Sequence, residues 1–173
     1  MKQILATIGL LCLLLMAGQA IAKGSHIEAY PELRPVGSGP LKWFGVTLYD
    51  ATLLAPGGEY RPDTIYALEI AYRYDFSRKQ LAKATLKEIE RLQGRRADRK
   101  AVVERFSQLF ADVSAGERLI GVYLPGEGAD FYGPQGYLGR LDDPRLAADF
   151  FHIWLDPRTR EPDLRRQLLG VLE

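Results

Sequence analysis

The chain has 173 residues, 47% of them hydrophobic, with 23 Lys and Arg against 22 Asp and Glu and a single cysteine. A formal net charge of +1 excludes the strongly basic surface typical of nucleic-acid binding proteins. One cysteine excludes an internal disulfide framework. The length suits one domain with a full hydrophobic core.

The first 22 residues have the pattern of a cleavable secretory signal peptide. Lys2 supplies a positive start, residues 4–17 form an almost unbroken apolar run, and Ala20 and Ala22 occupy the small-residue positions before a cleavage site. An uncleaved N-terminal anchor is the alternative, although the run is shorter than the roughly 20 apolar residues of a membrane span. Cys12 lies within the run and not at its end, which argues against a lipoprotein. We therefore expect export, to a bacterial periplasm, of one domain over residues 23–173.

Two strands are predicted in the first part of that domain. Residues 23–40 include Pro31, Pro35 and Pro40, which predict an extended, irregular segment with at most a short strand. Residues 41–54 are rich in aromatic and β-branched side chains and predict one long strand with a bulge or bend at Gly45. Residues 65–74 alternate strictly, which predicts a strand with one face on the core and the other near water. The Gly/Pro turn between these two strands favours antiparallel pairing.

Two helices are predicted next. Ser77 and Gln80 have the spacing of a capping box, and the helix they begin should extend to about residue 92 and stop at Gly94. Asp98 is placed to cap a second helix. Apolar residues recur along that helix at the spacing of a buried stripe: Val102, Val103, Phe106, Leu109 and Phe110.

The C-terminal part predicts a β-meander followed by two helices. Residues 118–124, 129–132 and 137–141 have strand character and are separated by Gly/Pro turns. Asp143 and Pro144 then form a cap followed by a first-turn proline, and a last helix over residues 162–169 ends at Gly170. The clustering of strands and helices predicts an α+β fold with an antiparallel sheet.

The sequence offers little catalytic or metal chemistry. His26 and His152 are the two histidines, and neither has a second histidine or cysteine at ligand spacing, so we expect no metal site. His152 falls off the apolar stripe of its helix and is expected at the surface. No glycine-rich nucleotide loop is complete, and no cofactor is expected.

One segment is strongly basic. Residues 78–105 contain ten Lys or Arg and four acidic residues. A helical face of this kind can contact anionic headgroups or an acidic partner, although an ordinary solvated face is the more usual explanation. The residues expected to form this basic face are Arg78, Lys79, Lys83, Lys87 and Arg91.

Several segments resemble the bacterial chalcone isomerase-like proteins. They are LKWFGVTLYDATL at residues 41–53, the strand-to-helix junction at 72–77, and a C-terminal block with LGRLDDP at 138–144, FHIWL at 151–155 and DPRTREP at 156–162. The resemblance covers nearly all of residues 23–173. It implies a large antiparallel sheet with helices packed on one face.

The residues that do the family's chemistry are replaced in this chain. The resemblance places the enzymes' substrate-binding arginine at Lys42, a helix tyrosine at Leu81, a following catalytic asparagine at Glu88 and a strand threonine at Tyr49. Lysine lacks the bidentate fork of arginine, and leucine has no hydroxyl to polarise a carbonyl. We therefore expect no chalcone isomerase activity. Lys42 and Tyr49 would face opposite ways on a regular strand, and only a bulge near Gly45 would bring them together.

The leading hypothesis is an exported, non-catalytic protein that binds a small apolar or amphipathic ligand such as a fatty acid. Lys42, Trp43, Tyr49 and Tyr72 are the candidate ligand-binding residues, with Lys42 as the contact for a carboxylate. Further aromatic residues could line a pocket or simply fill the core: Phe44, Tyr74, Tyr123 and Tyr132. The alternatives are a cell-envelope interaction protein that uses the basic face and, last, an isomerase or lyase with rearranged catalytic groups. A cavity lined by Tyr49 or Tyr72 with Lys42 at its mouth would favour ligand binding, and a filled core would favour the interaction protein.

Overall fold

The computed structural model describes residues 27–171 as a six-stranded antiparallel sheet with four helices. The expected signal peptide and His26 lie outside the described residues. The strands follow one another in the sheet in chain order, β1 to β6. The elements are β1 (Leu33–Trp43), β2 (Val46–Pro56), β3 (Tyr66–Tyr72), α1 (Arg78–Gln93), α2 (Arg99–Leu109), β4 (Arg118–Leu124), β5 (Gly128–Gly133), β6 (Gly136–Leu141), α3 (Pro144–Leu155) and α4 (Pro162–Leu168).

All four helices bury their apolar sides against one face of this sheet. A single hydrophobic core joins that face to residues of every helix, including Ile89 of α1, Phe106 of α2, Phe151 of α3 and Leu168 of α4. The predicted α+β class and the one-sided packing are confirmed. No helix within residues 27–171 combines the length and the apolar character needed to span a bilayer.

The prediction of one bent strand over residues 41–54 was wrong, because these residues end β1 and begin β2, and β1 also includes residues 33–40 of the segment expected to be irregular. Trp43 pairs with Val46, and Phe44 and Gly45 form the two-residue turn between them with φ values of 47° and 80°. Positive φ at both turn positions matches the twist of a tight hairpin. The prolines of β1 are tolerated because β1 is an edge strand with a neighbour on one side only.

The helix start signals are largely confirmed. Ser77 Oγ accepts from the backbone N–H of Gln80, and Gln80 Oε1 accepts from the backbone N–H of Ser77 at 2.9 Å, which completes the capping box. Asp143 Oδ1 accepts from the backbone N–H of Leu146 at 3.0 Å and begins α3. Asp98 occupies the cap position of α2 without a capping bond, because its carboxylate is bound to Arg96.

The outer face of the sheet is more buried than the alternation of residues 65–74 predicted. Ala67 is fully buried and Glu69 is nearly so, although both were expected near water. Ile27 and Tyr30, which precede β1, pack with Leu54 and Ala67 in a second, smaller core, so this segment covers part of the outer face. The sequence pattern of one strand cannot show what a distant segment covers.

Asp130 anchors this covering segment to the sheet. Its buried carboxylate accepts a hydrogen bond from the hydroxyl of Tyr30 and two from Arg140, at 2.7 Å and 2.9 Å. Burial alone would raise the pKa of Asp130, but the hydrogen bonds from Arg140 and Tyr30 outweigh burial and hold the pKa below its usual value. The carboxylate is therefore ionised at neutral pH and links Tyr30 to Arg140 of β6.

Candidate functional site

A cavity of about 520 Å³ lies between the inner face of the sheet and helices α1 and α3. Its volume falls within the range of roughly 300–1,000 Å³ that is usual for small-molecule sites. The strands contribute mainly apolar side chains, among them Leu68 and Ile70 of β3, Leu119 of β4 and Phe131 of β5. From α3, Phe150, Ile153 and Trp154 form the opposite wall. The interior of the cavity can therefore accommodate an apolar group.

All four predicted site residues lie on the wall of this cavity. Lys42 and Trp43 come from the end of β1, Tyr49 from β2 and Tyr72 from β3. Leu41 pairs with Tyr49 and Lys42 with Thr47, with an irregularity in the register between them, so the hairpin brings Lys42 beside the strand that carries Tyr49. A hairpin, together with this irregularity in its register, therefore brings these positions together.

Two tyrosine hydroxyls supply the polar chemistry of the interior. Tyr49 and Tyr72 are directly paired across β2 and β3, and their ring centres are 6.0 Å apart. The hydroxyl of Tyr49 accepts a hydrogen bond of 2.9 Å from Trp154 Nε1, which leaves its own proton free to donate. The hydroxyl of Tyr72 has no hydrogen-bond partner within residues 27–171. Burial raises the pKa of both phenols, so both are neutral donors at physiological pH.

The charged residues of the site are grouped around its mouth. Lys42, Lys87 and Arg160 are exposed cavity-lining cations, and Glu88 and Glu161 are half-buried anions that line the same cavity. Glu88 accepts from Arg91 at 2.8 Å and lies 3.3 Å from Arg160. The mouth therefore carries positive charge that is only partly neutralised.

The positions matched to the enzymes' catalytic residues do meet in this cavity. Leu81 and Glu88 of α1 line it together with Lys42 and Tyr49. At the position of the enzymes' helix tyrosine, Leu81 presents only an apolar surface. The resemblance implies that α1 lacks the groups that would polarise a chalcone carbonyl, and Leu81 and Glu88 lie in their places.

Some of the aromatic residues considered as pocket lining lie elsewhere. Tyr123 stacks on Tyr66 and contacts Phe151 within the core, and Tyr132 is on the outer face near Tyr30. Phe44 and Tyr74 are exposed and do not line the cavity. The hydrogen bond from Trp154 to Tyr49 was not predicted, because it joins residues 105 positions apart in the chain.

His152 is half-buried, and the prediction that it lies at the surface was wrong. Its Nδ1 is buried without a hydrogen-bond partner among residues 27–171. In the same part of the chain, no group of three or more His, Cys, Asp or Glu side chains is arranged to hold a metal ion.

The predicted basic face is present as an exposed side of α1. Arg78, Lys79, Lys83, Lys87 and Arg91 are all exposed. Arg78 is paired with Asp112, and Arg91 with Glu88. The lysines of this face form no ion pair with a described carboxylate, so they carry its unneutralised charge.

Comparison with known proteins agrees with this architecture. A fatty-acid binding protein of Arabidopsis thaliana has a similar crystal structure, with a TM-score of 0.62 and 12% sequence identity over 80% of this chain and 87% of that chain. At this identity the likeness shows the fold. A search of curated proteins found no significant sequence match. The family model for chalcone isomerase-like proteins matches residues 31–170. The chain therefore belongs to the chalcone isomerase-like family.

Proposed function

We propose that this protein binds a small apolar or amphipathic molecule, with a fatty acid as the leading candidate, and does so without chemical conversion. The single observation that carries the proposal is the apolar cavity between sheet and helices, which Tyr49 and Tyr72 line and which has Lys42 at its mouth. If side chains had filled this space, the structure would have argued against ligand binding. The Arabidopsis thaliana protein with a similar fold is described as a fatty-acid binding protein, which supports this ligand class.

The distribution of polar groups gives the bound molecule an orientation. Leu41, Tyr49 and Tyr72 are paired across three neighbouring strands, so the two hydroxyls and the adjacent Lys42 lie at one level of the sheet. A carboxylate at this level would accept hydrogen bonds from the two phenols and pair with the lysine ammonium. The acyl chain would then extend along Leu68, Phe131 and Phe150, where it is removed from water.

Replacing Tyr72 by Phe tests the orientation. We expect the affinity for a fatty acid to fall about tenfold, the loss of one hydrogen bond to a charged group. Stability should change little, because the hydroxyl has no protein partner within residues 27–171. Titration with a fluorescent fatty acid measures the effect, and Tyr74→Phe, at an exposed tyrosine outside the cavity, is the matched control. Equal losses with the fatty acid and with its methyl ester would refute a carboxylate contact at Tyr72.

The proposal includes export, so that the ligand is met in the periplasm. The support is the order of charged, apolar and small residues over residues 1–22. Expression of the full chain in a Gram-negative bacterium, followed by fractionation and intact mass measurement, is the test. A periplasmic species that begins at Lys23 is the expected result. A cytoplasmic species that retains Met1 to Ala22 would contradict export and leave the cavity proposal unaffected.

A further inference from the structure

The turn between β1 and β2 exposes an unusual amount of apolar surface. Phe44 is 88% exposed, Trp43 64% and Val46 45%. We call these three residues, of which Trp43 and Phe44 are aromatic, the aromatic tip. The rings of Trp43 and Phe44 contact each other with centres 4.9 Å apart, so their apolar surface is continuous. Aromatic side chains are normally buried or half-buried, and a tip of this kind indicates a surface that meets something other than water.

The backbone at Phe44 points to the same conclusion. Phe44, with φ of 47°, is the only residue other than glycine with positive φ among those described. A turn of this geometry favours Asn or Asp followed by Gly, and a bulky aromatic residue is disfavoured there. Neither the turn nor the core explains a phenylalanine at this position. A strained residue that is also exposed suggests a functional role.

The aromatic tip is continuous with the mouth of the cavity, where Lys42 and Lys87 are cations unpaired within residues 27–171, beside the carboxylates Glu88 and Glu161. Trp43 and its neighbour Lys42 both line the cavity. Lys87 lies at the same mouth, and Lys83 and Lys79 precede it by one and two helical turns on the same side of α1. None of these four lysines forms an ion pair with a carboxylate among residues 27–171. Residues 41–49 contain no acidic side chain.

We infer that the aromatic tip inserts into the interface of an anionic lipid bilayer while the four lysines contact lipid phosphates. Aromatic rings flanked by lysines are the combination that anchors proteins at the headgroup level. Three side chains on a narrow turn offer far less area than the roughly 800 Å² per partner of a stable protein interface, which favours a bilayer over a protein.

This contact would place the cavity mouth against the membrane. An acyl ligand could then pass between bilayer and cavity without crossing open water. This transfer role rests on the function proposed above, whereas the membrane contact itself does not.

Vesicle flotation combined with tryptophan fluorescence tests the inference. The protein is purified after any processing by the cell. It is mixed either with vesicles of pure phosphatidylcholine or with vesicles that also contain about 30% phosphatidylglycerol. Trp154 lines the cavity and would also respond to an entering lipid, so the blue shift is assigned to Trp43 by its loss in a Trp43→Phe variant. We expect flotation and the blue shift with the anionic vesicles, both weakened by salt.

The tip variant carries Phe44→Asn and Val46→Ser, which remove apolar surface outside the cavity and favour the turn backbone. Its affinity for anionic vesicles is expected to fall at least tenfold. Tyr137→Ser is the matched control, because Tyr137 is 57% exposed but lies on β6, at the opposite edge of the sheet. Flotation of the tip variant equal to that of the parent, or an unshifted Trp43 emission, would overturn the inference.

Fatty-acid binding without vesicles separates the two proposals. A parent protein that floats but binds no fatty acid would support the membrane contact and refute the transfer role. A tip variant that binds fatty acid normally but exchanges it with vesicles more slowly would support both. A tip variant that exchanges fatty acid as fast as the parent would overturn the transfer role.

Discussion

Replacing Ala84 by Trp is expected to abolish ligand binding, with a loss of affinity of at least about 100-fold. Ala84 lies on the exposed side of α1 and lines the cavity, so its side chain is at the mouth. An indole there would occupy the space through which an acyl chain enters and would exclude it sterically. The helix itself should tolerate the change, since Trp costs only about 0.5 kcal/mol relative to Ala in a helix.

The control for this experiment is Ala101→Trp. Ala101 is an exposed alanine of α2 that does not line the cavity, so it introduces the same side chain on a helix surface elsewhere. Fatty-acid titration and thermal unfolding of both variants separate occlusion from misfolding. Binding that survives Ala84→Trp at parental affinity would show that this cavity is not where the ligand binds.

Replacing Asp130 by Ala is expected to lower the free energy of unfolding by about 3 kcal/mol. The change removes the acceptor for Tyr30 and Arg140 together and releases the segment that covers the outer face of the sheet. Tyr30→Phe removes one of these hydrogen bonds and should cost about 1 kcal/mol. Urea unfolding at pH 7 measures both. Equal losses in the two variants would contradict a central role for the carboxylate.

The contribution of Asp130 should also depend on pH with a defined sign. Its pKa in the folded protein is below the usual value, so its stabilisation is complete above the ordinary aspartate pKa and is lost as the pH falls through the lowered pKa. The difference in unfolding free energy between parent and Asp130→Ala should therefore shrink below about pH 4. Fatty-acid binding at neutral pH should be unchanged, because Asp130 is on the face opposite the cavity.

Local patterns were sufficient to predict most of the elements. The strict alternation of residues 65–74 gave β3, and the capping signals at Ser77 and Asp143 fixed the starts of α1 and α3 to the residue. These signals act between residues three or four apart, where sequence spacing and spatial distance are directly linked. The resemblance in residues 41–53 predicted Lys42 and Tyr49 as site residues, and both lie on the cavity wall, while ligand binding by them stays a prediction.

The structural features that the sequence did not predict depend on contacts between segments that are far apart in the chain. In the sequence, the prolines of β1 predicted an irregular backbone. A strand tolerates them here because β1 lies at the edge of the sheet, which the sequence does not show. The burial of Ala67 requires knowledge of the segment before β1, and Glu69 is paired with Arg118 of the neighbouring strand β4. Tyr72 and Tyr123 have the same strand pattern, yet one lines the cavity and the other is packed against Phe151. Only the positions of the helices decide where the space remains open.

Native mass spectrometry of the protein purified from its own cells, followed by denaturing extraction of any retained molecule, tests the central claim most directly. The account predicts a bound species of small mass with an acyl or similarly apolar body, and predicts that Ala84→Trp is purified without it while Ala101→Trp retains it. A parent protein that carries no bound species, and takes up none after incubation with saturated and unsaturated fatty acids, would contradict the account.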